Sequence, residues 1–259
     1  MGGRFPLLMG ILNTTPDSFF DGGKYSSFED ALERAKDILA QGGDIIDIGG
    51  CSTRPGAENV DIKAEIQRTM PLIIEIKRLY PNTEISIDTF NFETARAALE
   101  EGADIINDVS ALADIRLASL AAQHGAKLVI MHSRGTPKTM QNLCSYDDIL
   151  KEIFIFFEEK IALAIKAGIP RQNIILDPGL GFAKTKEQNW FLLENLKYFN
   201  SLNLPMMIGA SRKSFTDKTL EMSLKAAALA MAADAAILRV HDVAETKKSL
   251  EVASHAAKA

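Results

Sequence analysis

Eight short runs rich in Ile, Val and Leu alternate with eight longer segments of helical period across 259 residues, which predicts an α/β fold: a single (β/α)8 TIM barrel over residues 1–259. Polar residues stand just past the ends of the apolar runs, at Asn13, Asp88, Asn107, Asp177 and Arg239. In a parallel α/β protein that edge is where ligands bind. The chain is 47% hydrophobic but only 7% aromatic, so Ala, Ile and Leu fill the apolar positions, as in helix-rich barrels. An open, doubly wound sheet is the competing arrangement for the same alternation.

The first strand is predicted over 7–12. The helix over 27–41 places Phe28, Ala31, Leu32, Ala35, Ile38 and Leu39 at three- and four-residue spacing, which makes one buried stripe. Gly42-Gly43 ends it before the second strand, 44–48. A helix over 60–79 leads to the third strand, 85–88. A helix over 91–101, closed by Gly102, leads to the fourth, 105–107. The helix over 114–123 stops before Gly125 and the fifth strand, 127–131. The helix over 146–167 ends at Gly168 before the sixth, 174–177. A helix over 186–198 precedes the seventh strand, 206–209, and one over 219–232 precedes the eighth, 236–240. The last helix is predicted over 244–257. The strands are apolar without strict alternation, as expected when both faces are covered.

The formal net charge of −5 gives no basis for a nucleic-acid partner or an anionic membrane surface. No apolar run approaches the ~20 residues of a membrane span. The first residues lack a signal-peptide layout, so a soluble, cytoplasmic protein is expected. Cys51 and Cys144 make neither a disulfide framework nor a metal-ligand spacing.

After the strands come Asn13, Ser52-Thr53-Arg54, Asp88, Asn107, His132, Asp177, Ser211-Arg212-Lys213, and Arg239 with His241. In a barrel these converge on one mouth. Asp88, Asn107, Asp177 and Lys213 suit a flat heterocycle with donors and acceptors along its edge, such as a pterin. The 2-amino group and ring N–H of a pterin form a donor pair that one carboxylate accepts. Asn13, Ser52, Thr53, Arg54, Arg239 and His241 suit a phosphate or diphosphate, with Mg2+ held by Asn13 and phosphate oxygens. Blander readings exist. Asp88 and Asp177 are placed to cap helices, and Lys213 and Arg212 taken singly read as solvated loop charges. His132 reads as a packed, hydrogen-bonded residue, Cys51 as a spectator thiol in a loop open to oxidation, and Met206-Met207 and 154–157 as packing residues.

Eight segments carry a family resemblance: 10–19 (GILNTTPDSF), 47–57 (DIGGCSTRPGA), 86–89 (SIDT), 106–110 (INDVS), 131–137 (MHSRGTP), 176–182 (LDPGLGF), 211–215 (SRKSF) and 239–243 (RVHDV). In this order and at barrel spacing, the chain resembles the dihydropteroate synthases of the pterin-binding barrel group over nearly its whole length. The resemblance implies condensation of (7,8-dihydropterin-6-yl)methyl diphosphate with 4-aminobenzoate, giving 7,8-dihydropteroate and diphosphate. The C–O bond ionises first and the arylamine then attacks.

Carried across by position, Asp88, Asn107, Asp177 and Lys213 look like pterin contacts. Asn13, Thr53, Arg239 and His241 look like the diphosphate set, with Asn13 toward Mg2+. Phe19, Thr53, Arg54, Pro55, Phe182 and Ser214 look like the 4-aminobenzoate side. Asp88, Lys213, Asn13 and Arg239 are the residues the resemblance makes catalytic. It further implies a homodimer, sulfonamides as inhibitors, and loops 14–26 and 49–61 that order over the bound diphosphate. The chain departs from the family pattern at Cys51, where Glu is usual, and in the short segment between Phe215 and Thr219. Two alternatives share the barrel: a pterin-binding methyltransferase module serving a corrinoid protein, which needs neither Lys213 nor the Arg239/His241 pair, and a non-catalytic pterin-binding homologue.

Overall fold

The computed structural model describes residues 5–14, 27–51, 61–136 and 138–256. Among them lie eight strands: β1 (Leu7–Asn13), β2 (Ile45–Gly49), β3 (Glu84–Asp88), β4 (Ile105–Asp108), β5 (Lys127–Met131), β6 (Ile174–Asp177), β7 (Met207–Ile208) and β8 (Ile237–Val240). Every ladder is parallel, in the order β6-β5-β4-β3-β2-β1-β8-β7. The two ends of this sheet meet, because Leu176 pairs in parallel with Met206 and its N–H donates to the Pro205 carbonyl at 2.9 Å. That closure is the predicted (β/α)8 barrel and excludes the open sheet.

The intervening helices are α1 (Ser27–Ala40), α2 (Ile62–Leu79), α3 (Phe92–Glu100), α4 (Arg116–His124), α5 (Ile149–Lys166), α6 (Lys186–Glu194), α7 (Leu220–Ala232) and α8 (Val243–Ala256). Most boundaries lie within a few residues of those predicted. Helix α5 starts at Ile149 rather than at Tyr146 because Asp148 accepts the Lys151 N–H as an N-cap. The predicted helix over 186–198 is broken. Its N-terminus carries a Thr185–Gln188 capping box, but the Asn195 side chain takes the Phe191 carbonyl at 2.8 Å and ends the α-helical ladder. A 3₁₀ segment, Leu196–Leu202, follows and buries Leu196, Phe199 and Leu202 at the three-residue period of that helix.

The strands are buried on both faces and do not alternate strictly between apolar and polar residues, as the sequence reading expects. Met9, Ile45, Ile105, Val129, Ile175, Met207 and Ile237 pack together as the barrel floor. Their neighbours, among them Leu8, Ile46, Ile106, Leu128, Ile174 and Leu238, pack outward against the helices. Two residues past the floor the inner face turns polar, at Asp47, Asn107, Asp177 and Arg239. The outer face is largely apolar, with the buried Asp108 of β4 an exception, so neither face reads as a polar one in the sequence.

Candidate active site

The strand register sets the first row of the site. Asn13 aligns with Gly49, Gly49 with Asp88, and Asp88 with Asn107. Gly49 leaves room between its neighbours: a Cβ there would lie 3.5 Å from Asn13 Oδ1 and 3.6 Å from Asp88 Cβ. Across the barrel, Arg239 reaches this row from β8. Its Nε donates to Asp47 Oδ2 and its Nη2 to Asp88 Oδ2, both at 2.6 Å. Asp47 is fully buried. Burial works against the Arg239 cation, but Asp47 and Asp88 together raise its pKa above the ordinary arginine value. The Asn107 amide sits over Asp47, Nδ2 lying 3.4 Å from both carboxylate oxygens.

Three buried polar atoms beside this network have no hydrogen-bond partner among the described residues: Ser86 Oγ, Asp88 Oδ1 and Asn107 Oδ1. One such atom costs about 1–3 kcal/mol, and natural folds hold few of them. Three on adjacent strands make this the candidate place for a ligand that carries donors. Burial pushes the Asp88 carboxyl up, with Asp47 and Glu65 adding to the shift and Arg239 and Lys213 opposing it. Burial likewise raises Asp177, against the pull of Lys213 and of the Gly179 N–H, which donates to Asp177 Oδ1 at 2.7 Å.

Lys213 keeps some solvent exposure as a residue, yet its ammonium is enclosed. Nζ donates to the Leu180 carbonyl at 2.5 Å and stands 4.7 Å from the centre of the Phe182 ring. Burial pulls its pKa down to about 8, although Asp177 draws it back up. The sign of the consequence is fixed: Lys213 is a cation below about pH 8 and neutral above it. Turnover that needs the cation is expected to fall along a basic limb near that pH in a kcat/KM profile. In Lys213→Arg that limb is expected to vanish. A wild-type profile flat to pH 9.5 would contradict the assignment.

On the β7–β8 side, His241 Nδ1 lies 3.0 Å from Ser211 Oγ, and its carbonyl accepts from Arg34 Nη2. Arg212 is exposed and turned away, paired with Asp242. Ser214 is exposed at the start of a 3₁₀ turn. Phe19, Thr53, Arg54 and Pro55 lie outside the described residues, as do most of the two loops expected to close.

The chain matches the pterin-binding enzyme family over residues 9–241. It belongs to that family. It is 46% identical to a dihydropteroate synthase of Synechocystis sp., over 97% of this chain and 90% of the relative. Among solved structures, it superposes with a TM-score of 0.90 on the Clostridium difficile dihydropteroate synthase crystallised in the presence of pteroic acid. The two are 37% identical, over 98% of this chain and 97% of that one. The Yersinia pestis dihydropteroate synthase, solved as a sulfonamide drug complex, gives a TM-score of 0.92 at 36% identity, over 98% and 95% of the two chains.

On this pterin-binding barrel some sequence readings hold and others change. Arg239, a member of the expected diphosphate set, has its Nε on Asp47 and its Nη2 on Asp88. Nη1 is the nitrogen left over from those two pairs. Asp88 caps no helix, since Asn91 holds the N-cap position of α3. Asp177 does make a turn bond, to Gly179. His132 is the packed, hydrogen-bonded residue expected: it lies edge-on against Phe156, with ring centres 4.9 Å apart, and its Nδ1 is 3.0 Å from Lys184 Nζ. Cys51 is buried rather than open to solvent.

Two residues of the site escaped the sequence reading, Asp47 and Ser86. The available signal was a polar residue flanked by isoleucines, and for Ser86 also parity, since it stands two residues before Asp88. Glu65 on α2 was also missed. It is fully buried, and accepts from Thr89 Oγ1 at 2.8 Å, Asn91 Nδ2 at 2.7 Å and Thr94 Oγ1 at 2.8 Å, which pins the turn after Asp88. Glu65→Ala strands three donors and is expected to lower stability by about 2–5 kcal/mol. A urea midpoint within error of wild type would remove Glu65 from this role.

Proposed function

We propose that the barrel mouth carries out dihydropteroate synthesis, joining (7,8-dihydropterin-6-yl)methyl diphosphate to 4-aminobenzoate and releasing diphosphate. The observation that carries this reading is the set of buried, unpartnered atoms on β3 and β4, Ser86 Oγ, Asp88 Oδ1 and Asn107 Oδ1, lying beside the buried cations Arg239 and Lys213. The ring N–H groups of a dihydropterin satisfy such acceptors. Asp88 and Asp177 then set negative charge against the ring as the methylene C–O bond ionises. The electron pair leaves on diphosphate, toward Arg239 Nη1 and His241. The arylamine, neutral near pH 7, supplies the pair for the new C–N bond and releases a proton. No strong general base is required of the chain. Its contribution is to hold two reactants and their charges in place.

Mg2+ fits this arrangement. Among the described residues no group of three His, Cys, Asp or Glu side chains forms a metal cluster. Asn13 offers one hard amide oxygen beside Gly49, where Asp88 also has a carboxylate oxygen, and diphosphate and water would supply the other oxygens, as is common for Mg2+. When bound, Mg2+ neutralises charge on the departing diphosphate. The 4-aminobenzoate site is assigned to Phe182 and Ser214, together with Phe19, Thr53, Arg54 and Pro55, and sulfonamides are expected to occupy it. A cytoplasmic homodimer is the working form we infer. Helices α6, α7 and α8 are neighbours and expose Phe191, Leu220 and Val252, an apolar set suited to self-association.

The test is turnover: purified protein, the pterin diphosphate, 4-aminobenzoate and Mg2+, with product followed by chromatography. 7,8-dihydropteroate is expected only when both substrates are present. Pterin binding without product would leave a binding protein and overturn the reading.

A further inference from the structure

We propose that Lys184 is a positioning residue that sets Lys213 in the site by winding the turn after β6 around its own ammonium. The inference rests on the reading of the mouth as the pterin site. Lys184 is 3% exposed. Its Nζ lies 3.0 Å from the Gly179 carbonyl, 2.9 Å from the Phe182 carbonyl and 3.0 Å from His132 Nδ1. Those three acceptors take all three N–H donors of the ammonium. His132 is a competent acceptor, because burial and then Lys184 itself hold its pKa down to about 2 and the ring is neutral.

The consequence falls on the opposite side of the turn. With the Gly179 and Phe182 carbonyls held by Lys184, one of the two carbonyls between them, that of Leu180, accepts from Lys213 Nζ. The turn needs glycine at two positions. Gly179 has φ +68°, and a Cβ on it would stand 1.9 Å from the His132 carbonyl oxygen. Gly181 has φ +84°, and a Cβ there would stand 3.0 Å from Lys213 Cδ. Lys184 and Lys213 therefore grip the turn over 179–182 from two sides. Burial pulls the Lys184 pKa down to about 7, although Asp177 draws it back up. An apolar residue would fill the space without that cost, so packing alone does not account for a lysine here. Lys184 touches none of the unpartnered atoms of the site, so its effect passes through the turn.

A double-mutant cycle tests this, read by calorimetric titration of pteroic acid into wild type, Lys184→Met, Lys213→Met and the double variant. Lys184→Met alone is expected to weaken binding about tenfold or more, since small misplacements of binding groups cost factors of that size. On the Lys213→Met background the same change is expected to cost less than about twofold, because the group it positions is already gone. Equal losses on both backgrounds, or no loss on either, would overturn the proposal. If circular dichroism shows that Lys184→Met does not fold, the cycle is run with Lys184→Gln, which keeps two N–H donors. The same non-additivity is expected, and equal losses would again overturn it. Failure of the wild type to bind pteroic acid would instead strike the reading of the site.

Discussion

Arg239→Met is expected to reduce kcat/KM by about a thousandfold and to lower stability by about 3–5 kcal/mol. Both effects come from one guanidinium. Its Nε and Nη2 hold Asp47 and Asp88 at 2.6 Å, and Asp47 is fully buried. Removing one partner of a buried pair leaves a charge in low dielectric, which costs more than the pair contributes. Turnover falls for a separate reason. Asp88 loses the contact that orients it toward the ring, and the departing diphosphate loses a preorganised donor. Arg239→Lys is expected to recover part of the stability and little of the activity, because a single ammonium does not reproduce the planar fork that reaches two carboxylates. Urea unfolding and steady-state turnover measure the two effects independently. A variant as stable as wild type would mean that the Asp47 pair does not hold this row.

Asp177→Asn is expected to keep the fold and lose pterin affinity by about tenfold to a hundredfold or more. The Gly179 N–H still finds an acceptor in the amide oxygen. A ligand with two adjacent donors, however, meets one acceptor and one NH2 where it met a carboxylate. The substitution also acts on Lys213. After burial, which lowers the Lys213 pKa, Asp177 is the strongest influence and draws it upward. Without it burial prevails further, and the basic limb of the kcat/KM profile is expected to move to lower pH. Unchanged affinity for pteroic acid, or a limb that moves upward, would rule out Asp177 in this role.

The barrel was legible in the sequence because its signals are local. Apolar runs, glycine stops and the stripe from Phe28 to Leu39 each report on a few neighbouring residues. The polar residues at the strand ends were legible for the same reason, since the strand end is itself a local feature. Asp47 and Ser86 were not, because their significance lies in which face of a strand they occupy. With Ile on both sides, Ile46 and Ile48 look no different from Ile45. Glu65 and Lys184 were further from reach. Each sits in or beside a helix, where a charged residue ordinarily faces water, and only the fold shows Glu65 turned toward Thr89 and Lys184 toward His132. The break after Glu194 turned on a single asparagine bonding to the backbone, a competition that helical periodicity does not register.

The most direct test of the central claim is a crystal structure of this protein with pteroic acid. The pterin ring is expected to lie across β3, β4 and β6, with ring N–H groups within hydrogen-bond distance of Asp88 Oδ1 and Asn107 Oδ1 and with Lys213 beside it. A pterin bound elsewhere, or one in the mouth that leaves those two oxygens without donors, would contradict it.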